Sequence, residues 1–389
     1  MFYSIIYAIN FRRYIMTNLK FKNGKFKIMQ IADIQENYQL NPDTIKLISL
    51  ALDKEKPDLV VLTGDQIQGY SGCYLKEAEM KVMHVIDEFI APIKERNIPF
   101  AVTFGNHDDD CKCSRQLQME HYTSFDNCVY SEPRCEEDPG TFAITVKNSE
   151  DKDALAIYLF DTGKAVMNGA SFPPVKKEQI EWYQNKRDAF KEANGDYLPG
   201  IVFQHIPVPE YFDVINKVNF FTRGRVEAYK SRKNTFYSLD KETLARGGFM
   251  YEAPAAPDIN AGQFDALKEK GDIFAMYVGH DHNNSFYKKL DGIDLGYCQG
   301  AGFNTYGPGE KRGVRLFEFD ENNVRNYHTY CTTMDELCDY KYKPAKPLLE
   351  FVFRNAPVSP DQAITDFSRV ALCVGTVVVG AKIIKKLLK

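Results

Sequence analysis

Ile273-Phe-Ala-Met-Tyr-Val278-Gly279-His280-Asp281-His282 is an apolar run that ends abruptly on a glycine and two histidines. A short run with no polar face reads as a strand buried on both sides, as in parallel sheets. The same design recurs upstream. Ile28-Met-Gln-Ile-Ala32 stops at Asp33-Ile-Gln35, Leu59-Val-Val-Leu62 at Gly64-Asp65, and Phe100-Ala-Val-Thr-Phe104 at Gly105-Asn106-His107-Asp108. Leu155-Ala-Ile-Tyr-Leu-Phe160 stops at Asp161, and Gly200-Ile-Val-Phe-Gln204 at His205. Apolar strands that each release a polar, ligand-type residue at the C-terminal end define the edge where α/β sheets form binding sites.

Between the strands, Pro42–Glu55 carries Ile45, Ile48 and Leu52 at helical spacing, and Leu75–Asn97 carries Met83, Ile86, Ile90 and Ile93. Leu19–Ile28, with Asn23-Gly24 at its centre, predicts a hairpin with a type I′ turn. Further strands are expected at Ser285–Leu290, Ile293–Gln299 and Val314–Asp320. The reading is one α/β domain over 17–345, with an apolar and basic leader (1–16), a linker (346–369) and a hydrophobic, basic tail (370–389). In the leader Phe2–Ile9 precedes Arg12 and Arg13, the reverse of a secretory signal. In the tail the apolar run Val370–Ala381 falls short of the ~20 residues a spanning helix needs. A docking helix, a basic amphipathic helix on a membrane surface and a short tail anchor all fit it.

The 389 residues are 44% hydrophobic and 26% charged, which excludes a disordered chain, a collagen and a polytopic membrane protein. Lysine and arginine (49) against aspartate and glutamate (53) leave a net charge of −4, without the basic excess of a duplex-coating protein, so no nucleic-acid partner is expected. Nine cysteines, an odd number without a C-x-x-C pair, exclude a fully paired disulfide framework and favour a reducing, cytoplasmic compartment. The sequon Asn283-Asn284-Ser285 lies where a glycan would obstruct the motif beside it.

Gathered at one edge, Asp33, Gln35, Asp65, Asn106, His107, His205, His280 and His282 supply two carboxylates, two amides and four imidazoles. Oxygen and nitrogen donors without thiolate suit Mn²⁺, Fe or Zn²⁺. Histidines one residue apart at a strand end normally face opposite ways, but a turn there brings both to one site. A bridging carboxylate can hold two ions ~3.5–4 Å apart, an arrangement suited to in-line attack on phosphorus.

Taken in order, Asp33-Ile-Gln35, Gly64-Asp65, Gly105-Asn106-His107-Asp108, His205 and Gly279-His280-Asp281-His282 resemble the calcineurin-like metallophosphoesterase superfamily. Phe203-Gln-His205-Ile-Pro-Val-Pro-Glu210-Tyr211 and Gly279–Asn283 resemble more closely its purple-acid-phosphatase-like group. The resemblance implies a four-layer α/β/β/α sandwich of two mixed β-sheets flanked by helices, and a metal-dependent phosphoesterase acting through a metal-bridging hydroxide. It implies that Asp33, Gln35, Asp65 and His282 hold one ion and that Asp65, Asn106, His205 and His280 hold the other. His107 would face the scissile phosphate as anion stabiliser or leaving-group acid, oriented by Asp108.

Two departures qualify this. The superfamily usually has histidine where Gln35 stands; an amide oxygen is a harder, weaker ligand, so the first site is expected to favour Mn²⁺ or Fe, with Zn²⁺ the third candidate. The same Asp-x-Gln occurs in manganese-dependent ADP-ribose/CDP-alcohol diphosphatases. Purple acid phosphatases also carry an iron-ligating tyrosine three residues after the bridging aspartate, where this chain has Gln68; Tyr70 lies two places further on.

The sequence says less about substrate. Thr222–Lys233 holds five basic residues and one acid, which suits a second phosphate, an acidic partner or a solvated face. Tyr251–Phe264 is similar to the stretch before the last metal motif in the same group, and Tyr297–Tyr306 is a glycine-rich turn that brings backbone toward phosphate or simply turns the chain. Asp109 and Asp110 make the approach acidic. A small phosphomonoester or a phosphoprotein is the first expectation for the substrate, a diester or nucleotide pyrophosphate the second, and a degenerate phosphate- or membrane-binding scaffold the non-enzymatic alternative.

Overall fold

Strands that are apolar on both faces need cover on both faces, and the chain supplies it in layers. The computed structural model describes residues 19–131, 138–163 and 172–342. The first half holds β1 (Lys25–Ile31), α1 (Pro42–Glu55), β2 (Leu59–Thr63), α2 (Ala78–Glu95), β3 (Phe100–Thr103), α3 (Arg115–Tyr122), β4 (Phe142–Lys147), β5 (Asp153–Phe160), α4 (Lys177–Asn194) and β6 (Gly200–Gln204). Short elements follow: β7 (Asn216–Val218), β8 (Val226–Glu227), β9 (Phe236–Ser238), α5 (Lys241–Ala245), β10 (Phe249–Met250) and α6 (Gln263–Lys268). The chain then returns through β11 (Ile273–Val278), β12 (Asn284–Ser285), β13 (Tyr287–Leu290), β14 (Ile293–Tyr297), β15 (Gly313–Asp320), β16 (His328–Thr333) and α7 (Met334–Leu337).

One large sheet has the order β16-β15-β1-β2-β3 and the other β13-β14-β11-β6-β5-β4. In the first, β1, β2 and β3 are parallel while β15 and β16 are antiparallel to their neighbours. In the second, β5, β6, β11 and β14 are parallel and β4 and β13 close the edges antiparallel. Period-two alternation divides each inner strand between two cores. Leu155, Ile157 and Leu159 of β5 enter one, and Ala156, Tyr158 and Phe160 the other. Between the sheets Phe203 and Tyr277 pack edge-on to Phe317 at 5.4 and 4.6 Å. Outside the second sheet, Tyr183 of α4 meets Tyr158 at 5.0 Å. Outside the first, α1 and α2 bury Leu47, Ile48 and Leu52, and Val82, Ile86, Phe89 and Ile93. The result is the expected four-layer sandwich of two mixed sheets flanked by helices.

Two local expectations need correction. The Asn23-Gly24 turn forms, with φ of 52° and 75°, and links Lys22 to Lys25. The arm before it does not pair along β1, because both edges of β1 are taken by β15 and β2. Leu19–Phe21 turns instead to the end of β4, where Phe21 N donates to Lys147 O at 2.8 Å and Lys147 N to Leu19 O at 2.9 Å. The helix expected from Leu75 begins only at Ala78, after a 3₁₀ turn at Gly72–Leu75 and a left-handed Glu77. The leader, the linker and the tail lie outside the described residues. Among the described residues no helix is long and apolar enough to cross a membrane, and the cysteines there are free thiols.

Candidate metal centre

The C-terminal ends of parallel strands from both sheets meet at one place. β1 runs into Asp33 and Gln35, β2 into Asp65, β3 into Asn106 and His107, β6 into His205, and β11 into His280 and His282. Backbone bonds stitch these ends together. Asp33 N donates to Gly64 O at 3.2 Å, Gln35 N to Asp65 O at 2.8 Å, Gly279 N to His205 O at 3.2 Å and Gly300 N to His282 O at 3.0 Å. Asp33, Gln35, Asp65 and His280 have φ of 52°, 37°, 51° and 72°. Non-glycine residues adopt such left-handed backbone rarely, and such strain collects at functional sites that over-determine it. The left-handed His280 is the turn that brings both histidines of Gly279–His282 to one side.

Two groups of potential ligand atoms result, Asp65 with His205 and His280, and Asp33 with Asp65 and His282. All are buried, and within each group the atoms lie within 4.8 Å of one another. His205 Nε2 is 3.2 Å from Asp65 Oδ2 and 3.9 Å from Asp33 Oδ1, and His282 Nε2 is 3.2 Å from Asp33 Oδ1. Carbonyls behind the rings fix their orientation. His205 Nδ1 lies 3.0 Å from Thr63 O and His282 Nδ1 2.8 Å from Tyr306 O, so each ring donates there and turns Nε2 to the carboxylates. Buried without a hydrogen-bond partner are Asn106 Oδ1 and His280 Nε2. An unsatisfied buried polar atom costs ~1–3 kcal/mol, and for the Asn106 oxygen a cation is a partner that relieves it. The donor set therefore fits metal ions.

Gln35 is present but turned. Its Nε2 donates to Asp65 Oδ2 at 2.9 Å, while Oε1 accepts from Thr305 Oγ1 at 2.6 Å and from Tyr70 Oη at 3.3 Å. To present its oxygen to an ion the amide must rotate, and both hydroxyls can then accept from Nε2. Tyr70, 53% exposed, stands at the mouth with its hydroxyl spent on Gln35 and Gln68.

The pocket is electrostatically tense. Burial alone would push His205 down, but Asp65 and Asp33 raise it to about 9. Burial likewise opposes the charge on Asp65, yet His205 and His107 hold it well below the usual carboxylate range. Burial pushes Glu252 up to about 7 against the pull of His282. Loading a cation would displace the His205 proton.

Asp108 does not orient His107. Its carboxylate is enclosed beneath the strand ends, accepting from Asp65 N (2.9 Å), Gln66 N (2.7 Å), Ile67 N (3.0 Å) and Gly105 N (2.7 Å). His107 faces outward, and its partner is Asp110, Nδ1 to Oδ2 2.6 Å. Burial lowers the His107 pKa, but Asp65 and Asp110 outweigh it and raise it. Other supports were not expected as such. Tyr306 stacks on His282 at 4.1 Å, and its hydroxyl donates to Glu252 Oε2 at 3.2 Å. Buried Arg115 pairs with Asp161 and donates from Nη2 to Gly105 O at 2.8 Å.

The glycines after β14 serve close backbone approach. A Cβ on Gly302 would sit 1.9 Å from Ile34 O, and one on Gly300 3.1 Å from His282 Cβ. Gly302→Ala is expected to cost at least ~3 kcal/mol, the upper range of overpacking, read as a fall in the denaturant midpoint at unchanged slope; an unchanged midpoint would contradict the packing.

The calcineurin-like phosphoesterase family model matches residues 26–284, and the chain belongs to that family. Among curated relatives, the probable inactive purple acid phosphatase 29 of Arabidopsis thaliana is 27% identical over 339 residues, covering 78% of this chain and 79% of that protein. Phosphatase DCR2 of Saccharomyces cerevisiae is 25% identical over 353 residues, covering 82% and 56%. Among solved structures, a dimetal phosphatase from Danio rerio covers 79% of this chain and 99% of its own, with 12% identity and a TM-score of 0.49.

Proposed function

We propose that this chain hydrolyses phosphomonoesters at a two-metal centre, with the membership of Asp65 in both ligand groups as the observation that carries the reading. Asp33, Gln35, Asp65 and His282 would hold the first ion, and Asp65, Asn106, His205 and His280 the second. When bound, the pair supplies Lewis-acid polarisation of the phosphoryl oxygens and a lowered pKa for attacking water. The chain contributes orientation and a proton. Asp110 fixes Nδ1 of His107, leaving Nε2 to face the substrate and protonate the departing oxygen. Thr63 and Tyr306 carbonyls hold the ligand imidazoles in place.

A binding scaffold is the competing reading, since the Arabidopsis relative is named probable inactive while the yeast relative is named a phosphatase. The donor set on this chain, with a buried and partnerless Asn106 Oδ1, favours the enzyme. The test is hydrolysis of p-nitrophenyl phosphate beside bis-p-nitrophenyl phosphate by chelated protein re-supplied with Mn²⁺, Fe²⁺ or Zn²⁺. Monoester turnover restored best by Mn²⁺ or Fe²⁺ is expected, because Gln35 offers an amide oxygen in place of imidazole. Diester preference would make the chain a phosphodiesterase, and no turnover with metal bound would leave the scaffold.

Iron-loaded protein is expected to show no tyrosinate-to-iron band. Gln68 stands at the tyrosine position, and burial raises the Tyr70 pKa. An intense visible absorption abolished by Tyr70→Phe would contradict this.

A further inference from the structure

The basic run Thr222–Lys233 forms part of a small sheet of order β7-β9-β8, and three of its five cations lie on aromatic rings. Arg232 covers Phe212 at 4.4 Å and pairs with Asp258 at 3.2 Å. Lys230 lies over Phe172 at 4.7 Å, and that ring packs on His280 at 4.3 Å. Arg225 lies over Phe220 at 4.2 Å and Phe236 at 5.4 Å. Arg225 differs from Arg232 in its polar contacts. Its Nε is buried with no hydrogen-bond partner, Nη1 reaches only Thr222 O at 3.4 Å, and among the described residues no carboxylate pairs with it.

Arg225 also lines a cavity of about 290 Å³ with Tyr251, Asn283 and Gly307. Two residues of that wall are chain neighbours of the ligand cluster. Asn283 directly follows His282, and Gly307 follows Tyr306, which stacks on His282. Glu252 fixes this wall by accepting from Asn283 N at 2.7 Å and from the Tyr306 hydroxyl. A guanidinium without a carboxylate partner, held flat by rings and partly withdrawn from water, recognises phosphate or carboxylate strongly. The volume is at the small-molecule end of binding sites.

We propose that this cavity receives a second anionic group of the substrate, so that preferred substrates are small phosphate esters bearing another phosphate or a carboxylate, with Arg225 setting the preference. The proposal rests on the phosphoesterase reading above. Its test uses the metal-loaded full chain with a series of α,ω-alkanediol bisphosphates beside alkyl monophosphates, and calorimetric binding of the matching bisphosphonates and monophosphonates. At the best chain length kcat/KM for the bisphosphate is expected to exceed that for the monophosphate at least about tenfold, the scale of one charge-assisted contact. Arg225→Met collapses that ratio toward one, and Arg225→Lys, which keeps the charge, retains part of it.

A ratio near one at every length, or a ratio unchanged in Arg225→Met, overturns the proposal. Arg225-dependent bisphosphonate preference without turnover would uphold the cavity and remove the hydrolase reading. Turnover without preference would do the reverse, and the absence of both would remove both.

Discussion

Asp65→Asn is expected to lower turnover about a thousandfold and to bring bound metal below two ions per chain. Asp65 is the one side chain common to both ligand groups, and its two oxygens already serve different sides, Oδ2 toward His205 and Gln35 and Oδ1 toward His107 N at 2.8 Å. An asparagine keeps the shape but offers one weak oxygen donor and no charge, so it cannot serve two cations. Metal ions contribute several kcal/mol to transition-state stabilisation, and each 1.36 kcal/mol is a decade in rate. The check is kcat/KM for p-nitrophenyl phosphate beside metal content by mass spectrometry. A variant that stays folded, binds two ions and keeps most of its activity would show that the carboxylate is no bridge.

Asp108→Ala is expected to be the most damaging substitution for the fold around the site. Asp108 is fully buried, and its carboxylate accepts from four backbone amides on two strand-end loops, those of Asp65, Gln66, Ile67 and Gly105. Removing it strands those donors without water, at ~1–3 kcal/mol each, a loss of at least ~4 kcal/mol. Burial and the Asp65 charge push the Asp108 carboxyl up to about 7, while the amide bonds from Gly105 and Ile67 pull the other way. Denaturant unfolding of the metal-free variant measures the effect. A loss under ~1 kcal/mol would mean that the loops are held by the sheets alone.

Much of this was readable because the strands are buried on both faces. A continuous apolar run that stops on Asp33, Asp65, His205 or His280 announces both a strand and its functional end, and parallel pairing places those ends together. What the sequence hides is which residue of a polar run faces which way. Asp108, Asp109 and Asp110 are chemically alike, and only the turn over 106–109 decides that the first clamps amides and the third meets His107. The amide orientation of Gln35 depends on Thr305 and Tyr70, contacts that no local pattern announces. Helix α4 buries only Ile180 and Tyr183 among its apolar residues, and its buried face includes Gln179 and Arg187, so its apolar stripe is thin. Strands β4 and β16 lie at sheet edges, where Thr145 and Lys147 in the one and His328, Thr329, Thr332 and Thr333 in the other dilute the apolar signal.

The shared-carboxylate centre is tested most directly by titrating chelated protein with Mn²⁺ while recording bound metal and the electron paramagnetic resonance spectrum. Two ions sharing Asp65 would be magnetically coupled, as a carboxylate-bridged pair ~3.5–4 Å apart is. Two Mn²⁺ per chain with a coupled multiline spectrum are expected, replaced in Asp65→Asn by the signal of an isolated ion. One ion per chain in the unaltered protein, or two that remain uncoupled, would contradict the shared carboxylate.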